Sequence, residues 1–244
     1  MGNSGFMHSI KNLPSSLLRQ VFCVLVFLFF ALLWSSAQAH GVADSDKAFL
    51  EQNQGPQLLV YAYLGAKHMV TGYDHLLFLF GVIFFLFRMR EVGIYVTLFA
   101  IGHSVTLLFG VLSGAHVNPF IVDAIIGLSV VYKAIDNLDG FKTLFGFQPN
   151  TKAAVLIFGF FHGFGLATKL QDFSLSKDGL IPNILAFNVG VEIGQLLALS
   201  GILIAMGFWR RTDAFTRQAF AANTVLMTAG FVLIGYQLTG FYLS

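Results

Sequence analysis

Long apolar segments separated by short polar links make up most of this chain. They run over 69–88, 92–112, 119–138, 153–171, 182–208 and 220–242. Each is close to the ~20 residues that a helix needs to cross the hydrocarbon layer of a membrane. The first segment is compatible with an earlier start, as an interfacial helix from Leu58. The pattern predicts an all-α fold, a polytopic membrane helix bundle with six transmembrane helices over residues 58–244.

The first 39 residues have the pattern of a cleavable signal peptide. A basic region precedes the apolar run Val21–Trp34, and an A-x-A cleavage signal ends at Ala39. Cleavage there makes His40 the mature N-terminus, followed by a short periplasmic tail over residues 40–57. The alternative is an uncleaved first span.

Composition agrees with a membrane protein. The 244 residues are 56% hydrophobic and 11% charged, whereas a soluble domain carries about a quarter charged residues. The partner is therefore the lipid bilayer. The net charge is only +2 and the basic residues are scattered, which excludes a nucleic-acid-binding surface. The only cysteine, Cys23, lies in the signal peptide, so a metal site would use nitrogen and oxygen ligands.

The basic residues also predict an orientation. With the mature N-terminus outside, the inner loops hold Arg88, Arg90, Lys142, Lys152, Arg210, Arg211 and Arg217, and the outer loops after the first helix hold only Lys169 and Lys177. Lys and Arg concentrate on the cytoplasmic side of membrane proteins. We therefore expect a multi-pass protein of the bacterial inner membrane with a periplasmic mature N-terminus.

Polar side chains inside the spans gather at one depth. Such residues are costly in lipid and mark functional sites. Counting along the helices places His75, His103 and His162 at a similar level in the outer leaflet. The carboxylates expected in the same layer are those of Asp74, Asp123 and Glu192. This constellation predicts a metal site, and the alternative for each histidine is a hydrogen-bonded core residue.

A fourth histidine depends on a break in the first span. His68 and His75 are two turns apart, roughly 10 Å on a straight helix, too far to share an ion. A break at Gly72 would bring them together. Asp74 is then either a ligand or the group that orients a neighbouring histidine.

Other polar residues are expected to support or gate the site. Asn188, Glu192 and Gln195 follow i, i+4, i+7 and share one helix face. The residues assigned to support or gating are Asn188, Gln195, Asp123, Ser129 and Tyr132. Ser129 is alternatively a backbone-bonded helix residue. Small-xxx-small pairs, Gly159 with Gly163 and Gly190 with Gly194, predict close helix packing around His162 and Glu192. His40 is a speculative ligand, because a terminal amine and imidazole chelate copper(II) or nickel(II).

Four motifs in order resemble the HupE/UreJ family of hydrogenase and urease accessory membrane proteins. The matching stretches are Gly65–Phe78, Gly102–Leu107, Phe158–Gly165 and Phe187–Gln195. The third span is a looser match, since the family pattern has a glutamate where this chain has Asp123. The resemblance implies nickel or cobalt permease activity.

Three functions are compatible with these residues. The leading interpretation is an inner-membrane divalent metal permease or metal-binding accessory protein, with zinc not distinguished from nickel or cobalt by ligand type. The second is an intramembrane zinc-dependent hydrolase, with Glu192 or Asp74 as general base. The third is a structural or assembly protein. The inner half holds few polar residues, namely Thr97, Tyr132, Gln195 and Asp136, which counts against a simple open pore.

Overall fold

The computed structural model describes residues 55–171 and 178–244, and every regular element in these two ranges is a helix. The helices are α1 Leu58–Thr71, α2 Tyr73–Ile83, α3 Met89–Ser113, α4 Pro119–Asn137, α5 Gly140–Phe145, α6 Thr151–Gln171, α7 Leu180–Trp209 and α8 Ala214–Leu243. The predicted signal peptide, His40 and nearly all of the predicted tail lie outside the described residues.

Four of the described helices are long and apolar enough to cross a membrane: α3, α6, α7 and α8. The chain is therefore a multi-pass membrane helix bundle. Helix α2 is apolar but has only 11 residues. Helix α4 has 19 residues and buries Asp123, Lys133 and Asp136. The total of six spans stays a prediction.

The first predicted span, 69–88, is divided in the structure. Helix α1 ends at Thr71, Gly72 adopts an extended conformation with φ −70° and ψ 102°, and α2 begins at Tyr73. Helix α1 also begins at Leu58, as expected, but it packs along α7 and buries Tyr61, Leu64, Gly65 and Met69. The Gly72 break is what lets one short helix follow α7 and the next enter the bundle.

The bundle is built from three closely packed helix pairs, α3 with α6, α1 with α7, and α4 with α8. Glycines make these contacts possible, because a methyl group added at Gly190 would overlap the carbonyl oxygen of Ala62, and one at Gly159 would lie 2.5 Å from that of Phe99. Between α4 and α8, a methyl group at Gly230 would lie 2.9 Å from the Val131 nitrogen. The small-xxx-small spacings therefore mark real backbone contacts.

One end of the bundle, which we call the basic end, holds the α2–α3 turn, the 138–150 segment and the α7–α8 turn. Arg210 closes it by donating to the carbonyl oxygens of Leu86 at 3.0 Å, Phe84 at 2.8 Å and Ile83. Burial lowers the pKa of the Arg210 guanidinium below its ordinary value, but a guanidinium stays charged in proteins.

At the opposite end, the start of α1 is tied to α7 and the end of α6 to α3. Asn183 accepts from the Gln57 nitrogen at 2.7 Å and donates to the Gly55 oxygen at 3.0 Å. Gln171 donates to the Gly110 oxygen at 2.9 Å. These contacts fix the ends of the helices that bring the polar residues to the interior.

Candidate functional site

Four histidines from four helices form a cluster inside the bundle. His68 is on α1, His75 on α2, His103 on α3 and His162 on α6. The His75 ring centre lies 5.0 Å from that of His68, 5.0 Å from that of His162 and 6.4 Å from that of His103. His75 is 3% exposed and His103 is 1% exposed. The structure thus brings together the three histidines expected at one depth and adds His68.

The break at Gly72 allows His68 to join the other three histidines. A methyl group on Gly72 would lie 2.6 Å from Nδ1 of His75 and 3.0 Å from Oδ1 of Asp74. The turn therefore has no room for a side chain at residue 72, and Asp74 and His75 are buried on the first turn of α2. The two turns of helix that would separate His68 from His75 are interrupted at this point.

The Asp74 carboxylate sets the tautomer of His75. Its Oδ1 lies 3.0 Å from His75 Nδ1, and both side chains are buried. A carboxylate oxygen can only accept, so Nδ1 carries the proton and Nε2 carries the lone pair. That Nε2 is buried with no hydrogen-bond partner among the described residues. A histidine oriented in this way by a carboxylate is the arrangement that metal ligands adopt.

The other two deeply buried rings also present nitrogen lone pairs. His162 Nδ1 donates to the Phe158 carbonyl oxygen at 2.8 Å, which leaves the lone pair on Nε2. In His103, neither ring nitrogen has a hydrogen-bond partner within the described part of the chain. Buried polar atoms normally have partners, and leaving one without costs about 1–3 kcal/mol. The cluster is therefore polar in a place where stability alone would favour apolar side chains.

Phenylalanines enclose the cluster. Phe99 lies 4.9 Å from the His162 ring and 6.1 Å from the His103 ring, and Phe78 lies 5.5 Å from that of His162. Phe187 of α7 lies 6.3 Å from the His68 ring. The three buried histidines consequently share a low-dielectric environment in which charge is costly.

Two of the buried amides of helix α7, those of Asn188 and Gln195, contact α3. Asn188 donates to the Ser104 hydroxyl at 2.8 Å, one residue from His103, and its own carbonyl oxygen is buried without a partner in the described chain. Gln195 is buried and lies 3.4 Å from the Val96 oxygen of α3. Both amides thus face α3.

Glu192 does not join the cluster, because its side chain is exposed. Helix α7 packs on α1 through Gly190 and Gly194. At 100° per residue, Glu192 lies about 40° beyond Asn188, on the side away from that contact. The i, i+4, i+7 pattern showed that Asn188, Glu192 and Gln195 share one helix face. It could not show that neighbouring helices bury Asn188 and Gln195 and leave Glu192 exposed.

The α4 residues expected near the site have other partners. Asp123 is buried and paired with Lys169 of α6, whose Nζ lies 2.7 Å from Oδ2 and 3.0 Å from Oδ1. Lys169 therefore lies in a helix rather than in an outer loop. Ser129 donates to the Ile126 oxygen at 2.6 Å, which is the backbone-bonded alternative. Tyr132 packs 5.2 Å from the Phe158 ring.

Sequence reasoning missed Lys133, which is 6% exposed within α4. Its Nζ lies 2.5 Å from Asp136 Oδ2 and 2.7 Å from Asn137 Oδ1. The signal was present as a lysine inside the apolar segment 119–138.

The four rings are close but not yet arranged around one ion. Within the described ranges, no group of three or more His, Cys, Asp or Glu side chains has the geometry of an assembled metal site. Ligation would require the rings to turn so that their lone pairs meet at one point.

The family model described as HupE / UreJ protein matches residues 44–244. No curated protein and no solved structure matches the chain. The matched range contains the four clustered histidines, the Asn188 and Gln195 amides of α7, and the pairs of Asp123 with Lys169 and of Asp136 with Lys133. The chain belongs to the HupE/UreJ family.

Proposed function

We propose that this protein is a permease for a divalent metal ion, nickel or cobalt, in the bacterial inner membrane. The observation that carries the proposal is His75, which Asp74 orients and which three other histidines surround within 6.4 Å. The family is associated with nickel and cobalt handling.

The ring separations suit ligands of one ion. A metal bonded to an imidazole nitrogen at ~2.1 Å lies roughly 3.2 Å from the ring centre, so two rings on one ion are roughly 4.5–6.4 Å apart. The separations of 5.0, 5.0 and 6.4 Å around His75 fall in this range. Binding would require the side chains to turn so that their nitrogens meet at one point. Imidazole and carboxylate ligands suit nickel, cobalt and zinc.

The charge of the cluster favours passage over permanent binding. Four neutral imidazoles and the Asp74 carboxylate leave one positive charge uncompensated when a divalent ion is present. That charge would be buried among Phe78, Phe99 and Phe187, where it is costly. Weak, transient binding is what a permease needs.

Two observations argue against the alternatives. A hydrolase needs a general base near the metal, but Glu192 is exposed and Asp74 is engaged by His75. A purely structural role leaves unexplained why His103 is buried without hydrogen bonds to described residues.

The basic end is the cytoplasmic side in this proposal. Its turns and flanking helix ends hold the arginines and lysines that stay on that side of the membrane. The ion then enters at the end of the bundle opposite the basic end, near Asn183 and Gln171. It reaches the histidines before it reaches the basic end.

Uptake of radioactive nickel into proteoliposomes tests the function. We expect His103→Ala to lower uptake roughly tenfold or more, as loss of a ligand or its support does at metal sites. The matched control is His116→Ala, which removes an exposed histidine in the α3–α4 link. Equal uptake by a folded His103→Ala protein and the wild type would refute the proposal. Nickel binding without uptake would reduce the function to an accessory, metal-binding role.

A further inference from the structure

A polar cavity of about 450 Å³ lies at the basic end of the bundle, away from the histidines. Thr151, on its wall, is 11 residues from His162 along α6, which is roughly 16 Å. The polar residues that line it are Tyr95, Lys133, Asp136, Asn137, Asp139, Gln148 and Thr151. One liquid water occupies ~30 Å³, so the cavity has room for an ion with its water shell.

The Asp136 carboxylate is the centre of this cavity's hydrogen-bond network. It is 8% exposed. Oδ2 accepts from Lys133 Nζ at 2.5 Å and from the Thr151 hydroxyl at 3.3 Å, and Oδ1 accepts from Gln148 Nε2. A carboxylate on the wall of a cavity of this size is a suitable ligand for a hard cation.

The Lys133 ammonium occupies the position that such a cation would take. It bridges the Asp136 carboxylate and the Asn137 amide oxygen, 2.7 Å away. Asn137 is held in place because its Nδ2 donates to the Gly81 oxygen at 2.9 Å and to Asn223 Oδ1 at 2.8 Å. With Asp139 also on the wall, the side chains carry one positive and two negative charges. A divalent cation would thus be attracted once the ammonium moved aside.

We propose that this cavity is a second, hydrated station for the divalent cation, closed by Lys133 as a tethered competitor. The ion leaving the histidines displaces the ammonium from Asp136, and the returning ammonium expels the ion at the basic end. This inference rests on the proposed permease function. The cavity provides polar side chains in the inner half of the bundle, where the sequence pattern predicted few.

A binding experiment isolates the cavity from the histidines. The background is His103→Ala with His162→Ala, and the probe is Mn²⁺, which prefers oxygen ligands, followed by electron paramagnetic resonance. Adding Lys133→Gln is expected to tighten Mn²⁺ binding roughly tenfold or more, because a like charge in direct contact is removed. Adding Asp136→Asn as well should abolish the gain. No gain, or a gain that survives Asp136→Asn, would overturn the inference.

A second variant covers the case in which Lys133→Gln does not fold. Lys133→Met with Asp136→Leu removes both charges, a change that buried ion pairs often tolerate. We expect it to lower nickel uptake roughly tenfold or more while nickel still binds to the solubilised protein. Wild-type uptake by this variant would also overturn the inference. The two proposals fail separately: normal uptake by His103→Ala refutes the histidine site, whereas the Mn²⁺ result depends on the cavity alone.

Discussion

Asp74 and His75 are neighbours in sequence and also hydrogen-bond partners, with 3.0 Å between Oδ1 and Nδ1. Consecutive residues inside a helix point about 100° apart. The pair meets because it stands on the first turn of α2, directly after Gly72, where the carboxylate folds across the helix start. The same short stretch therefore breaks the span, turns a histidine inward and fixes its tautomer.

Replacing Asp74 with Asn tests the role of this carboxylate. The amide keeps the size of the side chain but removes the charge that balances the ion, so we expect nickel affinity to fall about 10–100-fold. Equilibrium dialysis with nickel measures it. Asp213→Asn, at an exposed carboxylate in the α7–α8 turn, is the matched control and should leave affinity unchanged.

Replacing Gly72 with Ala should disable the site without unfolding the protein. The backbone there has φ −70°, which alanine adopts freely. The added methyl group would lie 2.6 Å from His75 Nδ1, so the ring must move. We expect nickel uptake to be lost while the protein still elutes as a single folded species. Gly93→Ala, where nothing lies within 4 Å of the added group, should retain uptake.

Helix α7 allows a matched test of close packing. Gly190→Ala places a methyl group against the Ala62 carbonyl oxygen of α1, whereas Gly201→Ala on the same helix meets nothing within 4 Å. Overpacking costs about 1–3 kcal/mol, and each kcal/mol lowers the unfolding midpoint by roughly 2–4 °C. Thermal unfolding in detergent should show this drop for Gly190→Ala alone. Equal midpoints would mean that α1 does not pack on α7 as the structure has it.

Glu192 distinguishes the permease from the hydrolase. Since its side chain is exposed, Glu192→Gln should leave nickel binding and uptake within about twofold of wild type. A hydrolase that used Glu192 as general base would lose its activity with the same change. Loss of nickel binding in this variant would show that the carboxylate reaches the ion after all.

The buried pair of Lys169 and Asp123 should matter for stability. Removing one partner of a buried ion pair costs about 3–5 kcal/mol. Lys169→Met is therefore expected to lower the midpoint of thermal unfolding sharply. Adding Asp123→Leu should recover most of the loss, because no buried charge is then left alone. If the single variant is as stable as wild type, the carboxylate has another partner.

The depth of His103 and His162 could be predicted because each lies on one long helix, where depth is a residue count multiplied by 1.5 Å. The break at Gly72 could be suggested, since only a break reconciles His68 with His75. The exposure of Glu192 could not be predicted, because it depends on which edge of α7 the neighbouring helix covers.

Lysines were harder to place than histidines. A long side chain near a helix end is ordinarily assigned to the interface, where it reaches water. Lys133 and Lys169 instead turn inward to carboxylates, and the choice depends on a partner in space. Asp136 also accepts a hydrogen bond from Gln148, which lies in the 138–150 segment. The path of that segment could not be predicted, because it has no regular hydrophobic pattern.

Helix α2 has His75 on its first turn and the Gly81 carbonyl near its last, where Asn137 binds it. Its 11 residues form a helix roughly 16 Å long. Arg210 donates a hydrogen bond to the carbonyl oxygen of Phe84, the residue that follows this helix. If α2 tilted about Gly72, the His75 ring near its start and the Gly81 carbonyl near its end would move together. A shift of His75 on binding an ion would therefore also displace the Gly81 carbonyl, and with it Asn137, which binds Lys133.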